Sequence, residues 1–242
     1  MASSVTSKKV GTMPVAIITG ASRGFGRALG ADLARDGWSL IVDARRENDL
    51  LDARDSFIAL GARVKAVSGD VTDPAHRVRL IDAAYQFGSL DLLVNNASTL
   101  GPSPLPTLDR YPLDELLHVF DVNVVAPLAL IQLALPLLRQ SRGVVVSMSS
   151  DAAVEAYEGW GGYGSSKAAL DQLHQVLATE LRDVRVYTFD PGDMRTEMHQ
   201  AAFPGEDISD RPDPSTVVPA FRNLLATATP SGRVRASDWT SR

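Results

Sequence analysis

Short apolar runs alternate along the chain with longer segments in which apolar residues recur at helical spacing. The short runs are near-continuous and rich in β-branched residues, as in strands buried on both faces, and cover residues 15–19, 39–43, 63–67, 90–94, 143–148 and 184–189. The longer segments predict helices at 26–36, 47–60, 74–87, 113–139 and 163–182, with a last helix near 215–227. Strands and helices of these lengths in alternation indicate βαβ units with right-handed crossovers.

This alternation predicts an α/β protein with a Rossmann-type, doubly wound parallel sheet and helices on both of its faces. No linker or repeat divides residues 13–242, so we expect a single domain there and a flexible tail at 1–12. Residues 192–214 are rich in Gly, Pro and Asp and lie between the last predicted strand and the last predicted helix. We expect this long loop to contact the substrate.

Composition narrows the classes of function. Of 242 residues, 45% are hydrophobic and 22% are charged, which is typical of a globular protein. The net charge of −5 disfavours nucleic acid as a partner, and the absence of cysteine excludes a thiol nucleophile. The four histidines show no metal-ligand spacing, so we expect no metal site, and the absence of a GxSxG motif argues against a hydrolase.

The same sequence features bear on location. The most apolar stretch, 124–138, is shorter than the roughly 20 residues that a membrane span needs. Residues 1–12 contain no apolar region of the kind found in secretory signals, and a chain without cysteine fits a reducing compartment. We therefore expect a cytoplasmic protein that does not contact a membrane.

A glycine-rich segment follows the first predicted strand and opens the first predicted helix. It consists of Thr19-Gly20-Ala21-Ser22-Arg23-Gly24-Phe25-Gly26. Glycines at such a turn allow the backbone to approach a pyrophosphate, whose negative charge meets the N-terminus of the helix. The GxxxGxG spacing in this strand–turn–helix context predicts a dinucleotide site.

The end of the second predicted strand bears on the choice of dinucleotide. An acidic residue there binds the ribose 2′-hydroxyl of NAD(H), whereas arginine pairs with the 2′-phosphate of NADP(H). Asp43 lies inside the strand, one position early, and Arg45 and Arg46 follow at its tip. Arg23 of the glycine turn can reach the same phosphate. The arginines favour NADP(H), Asp43 leaves NAD(H) as the alternative, and an Arg46 that only faces solvent is the plainer interpretation.

Tyr163 and Lys167 are four residues apart and therefore share one face of a predicted helix. A tyrosine hydroxyl titrates near pH 10, but a nearby ammonium group and a positively charged nicotinamide ring both favour the phenolate. Lowering its pKa by about three units takes roughly 4 kcal/mol. A pair at this spacing is usually structural, but Lys167 is the only lysine in the second half of the chain. Tyr163 is therefore a candidate acid/base with Lys167 as its partner.

Further residues extend these segments into an ordered set of motifs. They are Asp70 after the third predicted strand, Asn95-Asn96-Ala97, Asn123, Ser150, Pro191-Gly192 and Thr196. In this order and spacing, over about residues 13–200, the chain resembles the short-chain dehydrogenase/reductase family in its shorter form. The resemblance implies an oxidoreductase that transfers a hydride between a nicotinamide cofactor and a small carbonyl or alcohol.

The resemblance implies four catalytic residues: Asn123, Ser150, Tyr163 and Lys167. Tyr163 would be the acid/base and Ser150 a donor to the carbonyl oxygen. Lys167 would lower the pKa of Tyr163 and hold the nicotinamide ribose, and Asn123 would support a water relay. The implied cofactor contacts are Gly20, Ser22, Arg23, Gly24, Phe25, Gly26, Arg45, Arg46, Asp70, Val71, Asn95, Ala97, Tyr163, Lys167, Pro191, Gly192 and Thr196.

Within that set, the resemblance places Asp70 and Val71 at the adenine, Asn95 at the adenosine, and Thr196 at the carboxamide. Plainer interpretations remain for some candidates. Serines at 147 and 149 lie beside Ser150, although the spacing to Tyr163 supports Ser150. Asn123 would also serve to cap or kink its helix, and the Asp70 carboxylate would also serve to close a turn at position 72.

Two departures from the family pattern stand out. Ser98 replaces the glycine of the usual NNAG, and the glycine-rich strand end near the C-terminus is missing, where the chain has Ser231-Gly232-Arg233-Val234-Arg235. Three segments are similar to the sepiapterin reductases within the family: TGASRGFGR, NAS-x-x-G and Gly159-Trp160. Asp238, however, is displaced from the position at which those enzymes hold a pterin amine.

The leading hypothesis from the sequence is an NADPH-dependent carbonyl reductase or alcohol dehydrogenase. One alternative is a pterin reductase. The other is a non-catalytic, dinucleotide-binding redox sensor, which would have no need of all four catalytic candidates.

The two helices that follow Asn123 and Tyr163 also predict an interface. Apolar residues at helical spacing face away from the sheet: Leu128, Ile131 and Leu135 on the first helix, and Leu170, Leu173 and Leu177 on the second. In the family these helices pair with their symmetry mates, so the resemblance implies a homodimer or homotetramer. Cover by the final helix or by the 192–214 loop of the same chain is the alternative.

Overall fold

One parallel sheet organises the molecule. The computed structural model describes residues 13–227 and 229–239, and the predicted tail at 1–12 lies outside them. Seven strands pair in parallel in the order β3-β2-β1-β4-β5-β6-β7. They are β1 Val15–Ile18, β2 Ser39–Ala44, β3 Val64–Ser68, β4 Leu92–Asn95, β5 Val144–Met148, β6 Arg185–Asp190 and β7 Gly232–Arg235. The strand order reverses between β1 and β4, the place where open α/β sheets bind ligands.

Helices connect the strands and cover both faces of the sheet. In the described part of the chain they are α1 Gly24–Arg35, α2 Glu47–Ala59, α3 Pro74–Phe87, α4 Leu113–Phe120, α5 Ala126–Ser141, α6 Gly161–Glu180, α7 Glu197–Ala202 and α8 Val218–Ala226. The start of α3 shows how local sequence sets these bounds, because Pro74 occupies the first turn and the Asp73 carboxylate accepts from the Ala75 N–H at 2.9 Å.

The core forms two apolar layers, one on each side of the sheet. Alternate residues of β1 supply both layers, since Ala16 and Ile18 pack with α1, α2 and α8, whereas Val15 and Ile17 pack with α3 and α5. All four side chains are at most 2% exposed. The predicted doubly wound, single-domain α/β fold is therefore confirmed, and the predicted elements match the observed ones within three residues.

Three elements differ from the prediction. The sequence pattern contains no run for β7, because Val234 is its one buried residue and arginines flank it at the sheet edge. Helix α7 lies inside the predicted 192–214 loop and is too short to show an apolar period. The predicted helix 113–139 is interrupted by a π-helical turn at Asp121–Val125, in which the helical turn is wider. These five residues include no glycine or proline, so the sequence gives no signal for the interruption.

Burial also corrects the predicted outer faces of α5 and α6. Ile131 and Leu170 are 0% and 2% exposed and pack within their own chain, so the expectation that they face outward is wrong. The large apolar side chains that are exposed along α4, the π-turn, α5 and α6 are Leu113, Leu117, Val125, Leu133 and Val176. We call these five residues the outer apolar patch.

The helical segment Leu113–Ser141 has the length and composition of a membrane span, with a mean hydropathy of 1.8 over its most apolar window. Core helices share these properties, and 56% of this window is buried inside the fold. Its apolar residues include Leu130, Ile131 and Ala134, which form part of the layer beneath β1, β4 and β5. The segment is therefore accounted for as a core helix.

Candidate active site

A cavity of about 1150 Å³ opens at the carboxyl ends of the central strands. Most of the predicted site residues line it: Gly20, Ser22, Arg23, Gly24, Phe25, Arg45, Arg46, Asp70, Val71, Ala97, Tyr163, Lys167, Pro191 and Thr196. Five predicted residues are not among those that line it: Gly26, Asn95, Asn123, Ser150 and Gly192. The volume exceeds that of usual drug-sized pockets and suits a dinucleotide together with a small substrate.

The glycine turn has the backbone that a pyrophosphate cradle requires. Gly20 and Gly24 have φ of +64° and +55°, a region that residues with a Cβ rarely adopt. Gly26 has another purpose, because a Cβ there would lie 2.6 Å from both the Asn96 side chain and the Gly20 carbonyl oxygen. The segment therefore leaves the N-terminus of α1 open to the cavity and fits an anionic phosphate group.

Asp43 lies at the wall of the cavity, but its carboxylate is buried and engaged by other residues of the chain. Its carboxylate accepts from the Gly20 N–H at 2.7 Å and is bonded to His76 Nε2 at 2.9 Å, and it is 0% exposed. Burial raises the pKa of Asp43, and the hydrogen bonds from His76 and Gly20 oppose that rise. Asp43 thus supports the glycine turn, and this geometry disfavours it as a ribose ligand.

Arginines surround the cavity beyond the tip of β2. Arg23 and Arg46 both pair with the Glu197 carboxylate of α7, the latter at 3.5 Å, and Arg46 also contacts Asp49 at 3.2 Å. Arg45 is exposed and helps to lower the pKa of Asp70. Because one carboxylate oxygen already contacts two of these guanidinium groups, the same region suits a bound phosphate monoester. Glu197 was not predicted from the sequence, where it is one of many exposed acidic residues.

The hydroxyl of Tyr163 lies among two serines. Hydrogen bonds with Ser150 and Ser98 favour its phenolate, but burial raises the pKa of Tyr163, and the charges of Asp190 and Asp151 raise it further. The Ser150 hydroxyl also donates to Asp151 Oδ1 at 2.9 Å. Ser98, the departure from NNAG, is thus a site residue with a role that the sequence did not reveal.

Lys167 is buried beneath Tyr163. Its Nζ donates to the Met148 carbonyl oxygen at 2.8 Å and lies 5.4 Å from the centroid of the Tyr163 ring. Burial lowers the pKa of Lys167 to about 8, and the nearby Asp171 opposes this change. The two serine hydroxyls lower the pKa of Tyr163, and the expected lowering by Lys167 stays a prediction.

Asn123 connects the loop after β4 to α6. Its Oδ1 accepts from the Thr99 N–H and the Ser98 hydroxyl, both at 2.9 Å. Its Nδ2 donates to the Thr99 carbonyl oxygen at 2.9 Å and to the Ser166 hydroxyl at 3.0 Å. The side chain is fully engaged by these protein partners, so it holds Ser98 and the residue before Lys167 in place.

The predicted adenosine side is only partly as expected. Asp70 lines the cavity, but its Oδ1 accepts from the Thr72 N–H at 2.9 Å, so it also closes the turn considered above. Asn95 faces the core and donates to Ser147 Oγ at 3.0 Å. The neighbouring Asn96 lines the cavity instead and donates to the Thr19 carbonyl oxygen at 2.8 Å. Because two asparagines are adjacent in the sequence, the sequence alone could not tell which of them lines the cavity.

The segment after β6 contributes the opposite wall. Pro191 lines the cavity, and the Gly192 N–H donates to Asp190 Oδ1 at 3.1 Å. Thr196 lies against Gly24, and its hydroxyl caps α7 by accepting from the His199 N–H at 3.1 Å. Among the described residues, no group of His, Asp and Glu side chains is arranged to hold a metal ion.

This constellation has the form of a nicotinamide-dependent redox site. The family model described as short chain dehydrogenase matches residues 14–207. The chain belongs to the short-chain dehydrogenase family. Members are oxidoreductases that bind a nicotinamide dinucleotide and act on small molecules, so these coarser expectations are confirmed.

Relatives of this short-chain dehydrogenase include several reductases. Sepiapterin reductase of Mus musculus is 37% identical over 201 residues, covering 78% of this chain and 77% of that protein. Diacetyl reductase, (S)-acetoin forming, of Staphylococcus epidermidis is 32% identical over 188 residues, covering 76% and 72%. The solved alcohol dehydrogenase of the archaeon Thermococcus sibiricus, complexed with 5-hydroxy-NADP, matches with a TM-score of 0.83 at 27% identity and covers 92% of this chain and 95% of that chain.

Proposed function

We propose that the protein is an NADPH-dependent reductase of ketones or aldehydes, with Tyr163 as the acid/base. The observation that carries the proposal is that Tyr163 and Lys167 lie side by side at the wall of the cavity that the glycine turn also lines, with Ser150 hydrogen-bonded to Tyr163. The likeness to two reductases and to an alcohol dehydrogenase complexed with an NADP derivative supports the same reaction type.

The chemistry follows from where these groups lie. A bound reduced nicotinamide supplies the hydride for the carbonyl carbon. The Tyr163 hydroxyl, and the Ser150 hydroxyl once it turns from Asp151, hold the carbonyl oxygen, and Tyr163 donates its proton to that oxygen as negative charge develops there. A high pKa suits Tyr163 as the acid in this direction, since the phenol remains protonated at neutral pH. The Lys167 ammonium stabilises the phenolate that results.

The preference for NADP(H) is part of the proposal. Both carboxylate oxygens of Asp43 are already engaged, by Gly20 and His76, which disfavours this acidic group as the ribose ligand that would select NAD(H). Arg23, Arg45 and Arg46 line the same end of the cavity and present cations for a 2′-phosphate. The pairing of Glu197 with two of these arginines indicates an anion-binding position.

Replacing Arg45 tests the cofactor preference. Arg45→Ala should weaken NADPH binding by about 1.5–3 kcal/mol, the value of a charged hydrogen bond, and should leave NADH binding nearly unchanged. Titration of both cofactors, followed by protein or nicotinamide fluorescence, measures the difference. Arg110→Ala, at an exposed arginine that is not among the cavity-lining residues, is the matched control. Equal losses for the two cofactors, or a wild-type preference for NADH, would contradict this assignment.

The wall beside Tyr163 favours an uncharged, apolar substrate. Tyr163 packs with Leu100 and Ala152, and Met198 and Ala201 of the α7 region lie against this cluster. A carboxylate or ammonium group next to the reacting carbonyl would lose its hydration against these side chains without compensation. We therefore propose small apolar ketones, aldehydes and diketones as substrates.

A carbonyl panel tests the function. The purified protein should oxidise NADPH when diketones or apolar ketones are present. The fall in NADPH absorbance measures this reaction. Tyr163→Phe should reduce kcat by about a hundredfold or more, the usual contribution of general acid catalysis, and should leave NADPH affinity close to that of the wild type. Tyr85→Phe, an exposed tyrosine on α3, is the control. NADPH binding without turnover on the whole panel would instead support the non-catalytic sensor.

Pterin reduction is the second candidate, because sepiapterin reductase is among the relatives. Sepiapterin belongs in the panel for this reason, and a strong preference for it over simple diketones would favour that candidate. We also propose a cytoplasmic location, which the cysteine-free sequence supports.

A further inference from the structure

Arg233 lies on the edge strand β7, in the segment where the sequence departs from the family pattern. Its side chain is only 15% exposed, and its guanidinium makes three hydrogen bonds. Nε donates to Asp171 Oδ2 at 2.8 Å. One terminal nitrogen donates to the main-chain oxygen of Ser150 at 2.8 Å and to Asp190 Oδ2 at 2.9 Å. Both carboxylates are almost completely buried.

Each of these partners is joined to a different part of the candidate site. Ser150 itself carries the proposed donor to the carbonyl oxygen. Asp190 uses its other oxygen to accept from the Gly192 N–H and thereby fixes the turn that follows β6. Asp171 lies one turn of α6 beyond Lys167. A single planar guanidinium thus ties together the ends of β5 and β6 and the helix that carries the acid/base.

We propose that Arg233 is a positioning residue for the carbonyl reduction: it holds Ser150 and the Gly192 turn in register with α6 and compensates the two buried carboxylates behind the site. The inference rests on the proposed function for its kinetic consequence. The geometry of the three hydrogen bonds is independent of which carbonyl is reduced. The role differs from catalysis, because Arg233 contacts Ser150 through its main chain and lies outside the cavity lining.

Charge gives Arg233 a second effect on the site. The titratable and charged groups around Tyr163 and Lys167 come from the segment after β5, from β6, from α6 and from β7: Asp151, Asp190, Asp171, His174 and Arg233. Asp190 raises the pKa of Tyr163, and Asp171 raises the pKa of Lys167. Loss of the cation that pairs with both carboxylates would strengthen both effects, so the pKa of each group would rise.

The kinetic test compares two arginines on one strand. Arg233→Met removes the fork but keeps the apolar stem, and Arg235→Met makes the same change at an exposed position on β7. We expect kcat of Arg233→Met to fall by about tenfold or more, with a smaller change in KM, because misplaced catalytic groups affect the transition state. The pH at which oxidation of the alcohol reaches half its maximal rate should move upward. Arg235→Met should behave like the wild type.

A second measurement does not depend on turnover. The sequence contains four lysines, so selective isotope labelling and NMR can follow the Lys167 side chain, identified by its loss in Lys167→Met. In the Arg233→Met variant, the Lys167 side chain should titrate at a higher pH than it does in the wild type. Because removal of a buried cation can prevent folding, Arg233→Lys is examined in parallel, and it should lower kcat since an ammonium cannot reproduce the planar fork.

The outcomes separate the two proposals. A kcat within about twofold of the wild type and an unchanged Lys167 titration in a folded Arg233→Met variant would overturn the role of Arg233. If that variant does not fold, wild-type kcat in Arg233→Lys would overturn it. If the wild type reduces no carbonyl, the proposed function fails, and the Lys167 titration still decides whether Arg233 controls the electrostatics of the site.

Discussion

Lys167, the proposed partner of Tyr163, is a lysine in a place that disfavours its charge. It is 2% exposed, and burial lowers its pKa from the ordinary 10.5 to about 8. The unfolded chain therefore binds this proton more tightly than the folded protein does. As pH falls from 10.5 towards 8, stability decreases, and at neutral pH the full cost of roughly 3 kcal/mol is present. Such costs are common where function needs a buried ionisable group.

Lys167→Met should consequently stabilise the protein while abolishing carbonyl reduction. After allowance for the lost hydrogen bond to Met148, we expect a gain of about 1–3 kcal/mol in the free energy of unfolding at pH 7 and a smaller gain near pH 10. Urea unfolding at both pH values measures this. Lys65→Met, at an exposed position on β3, is the control and should change stability little. A variant that is less stable than the wild type at pH 7 would show that the burial cost is overstated.

For single residues, the sequence predicted which residues belong to the candidate site better than it predicted the directions of their side chains. The four-residue spacing of Tyr163 and Lys167 is a local property of a helix, so their shared face could be predicted without the fold. The direction of Asp43 could not, because its partners Gly20 and His76 are 23 and 33 residues away in the chain. The same holds for Arg233, whose partners become neighbours only when the sheet forms.

Among the elements, the π-turn between α4 and α5 has the clearest functional consequence. It contains Asn123, whose amide makes four hydrogen bonds to residues on two other segments. π-turns are found frequently at functional sites, where the wider turn re-aims a side chain. Here the turn joins the loop after β4 to the helix of the acid/base.

Asn123→Ala should therefore loosen this junction. It leaves the part-buried N–H and carbonyl oxygen of Thr99 without their side-chain partner, and we expect the free energy of unfolding to fall by about 2–4 kcal/mol. Thermal and urea unfolding of the variant measure the loss. Gln132→Ala, an exposed amide on α5, is the matched control. If Asn123→Ala is as stable as this control, the hydrogen bonds of Asn123 do not hold the junction.

Strands buried on both faces were predictable, whereas the edge strand β7 was not. β1, β2 and β5 are near-continuous apolar runs because a layer packs on each side of them. β7 pairs only with β6, and its Arg233 pairs with two buried carboxylates instead of packing into an apolar layer. An edge strand that is held by ion pairs lacks the run of apolar residues by which a buried strand is predicted from sequence.

At the scale of the whole molecule, the outer apolar patch is the feature that a single chain leaves unexplained. Leu113 and Leu117 are 73% and 72% exposed, and Val125, Leu133 and Val176 extend the patch across α5 and α6. The described part of the final helix, α8, and residues 192–214 pack elsewhere, since α8 belongs to the layer of α1 and α2. In the described part of the chain, neither segment covers the outer apolar patch, so the structure does not support the alternative that the sequence left open.

A self-complementary interface through this patch predicts a two-fold symmetric dimer, or a tetramer built from it. Light scattering of the wild type should give a mass of at least twice the 25.9 kDa of one chain. The double variant Leu117→Glu/Leu133→Glu should return the mass to that of one chain, because four buried carboxylates per dimer would lack partners. Ile58→Glu, exposed on α2 beyond the opposite face of the sheet, should leave the assembly intact. A wild-type mass of one chain would refute the dimer, and a dimer that survives the double variant would place its interface on another surface.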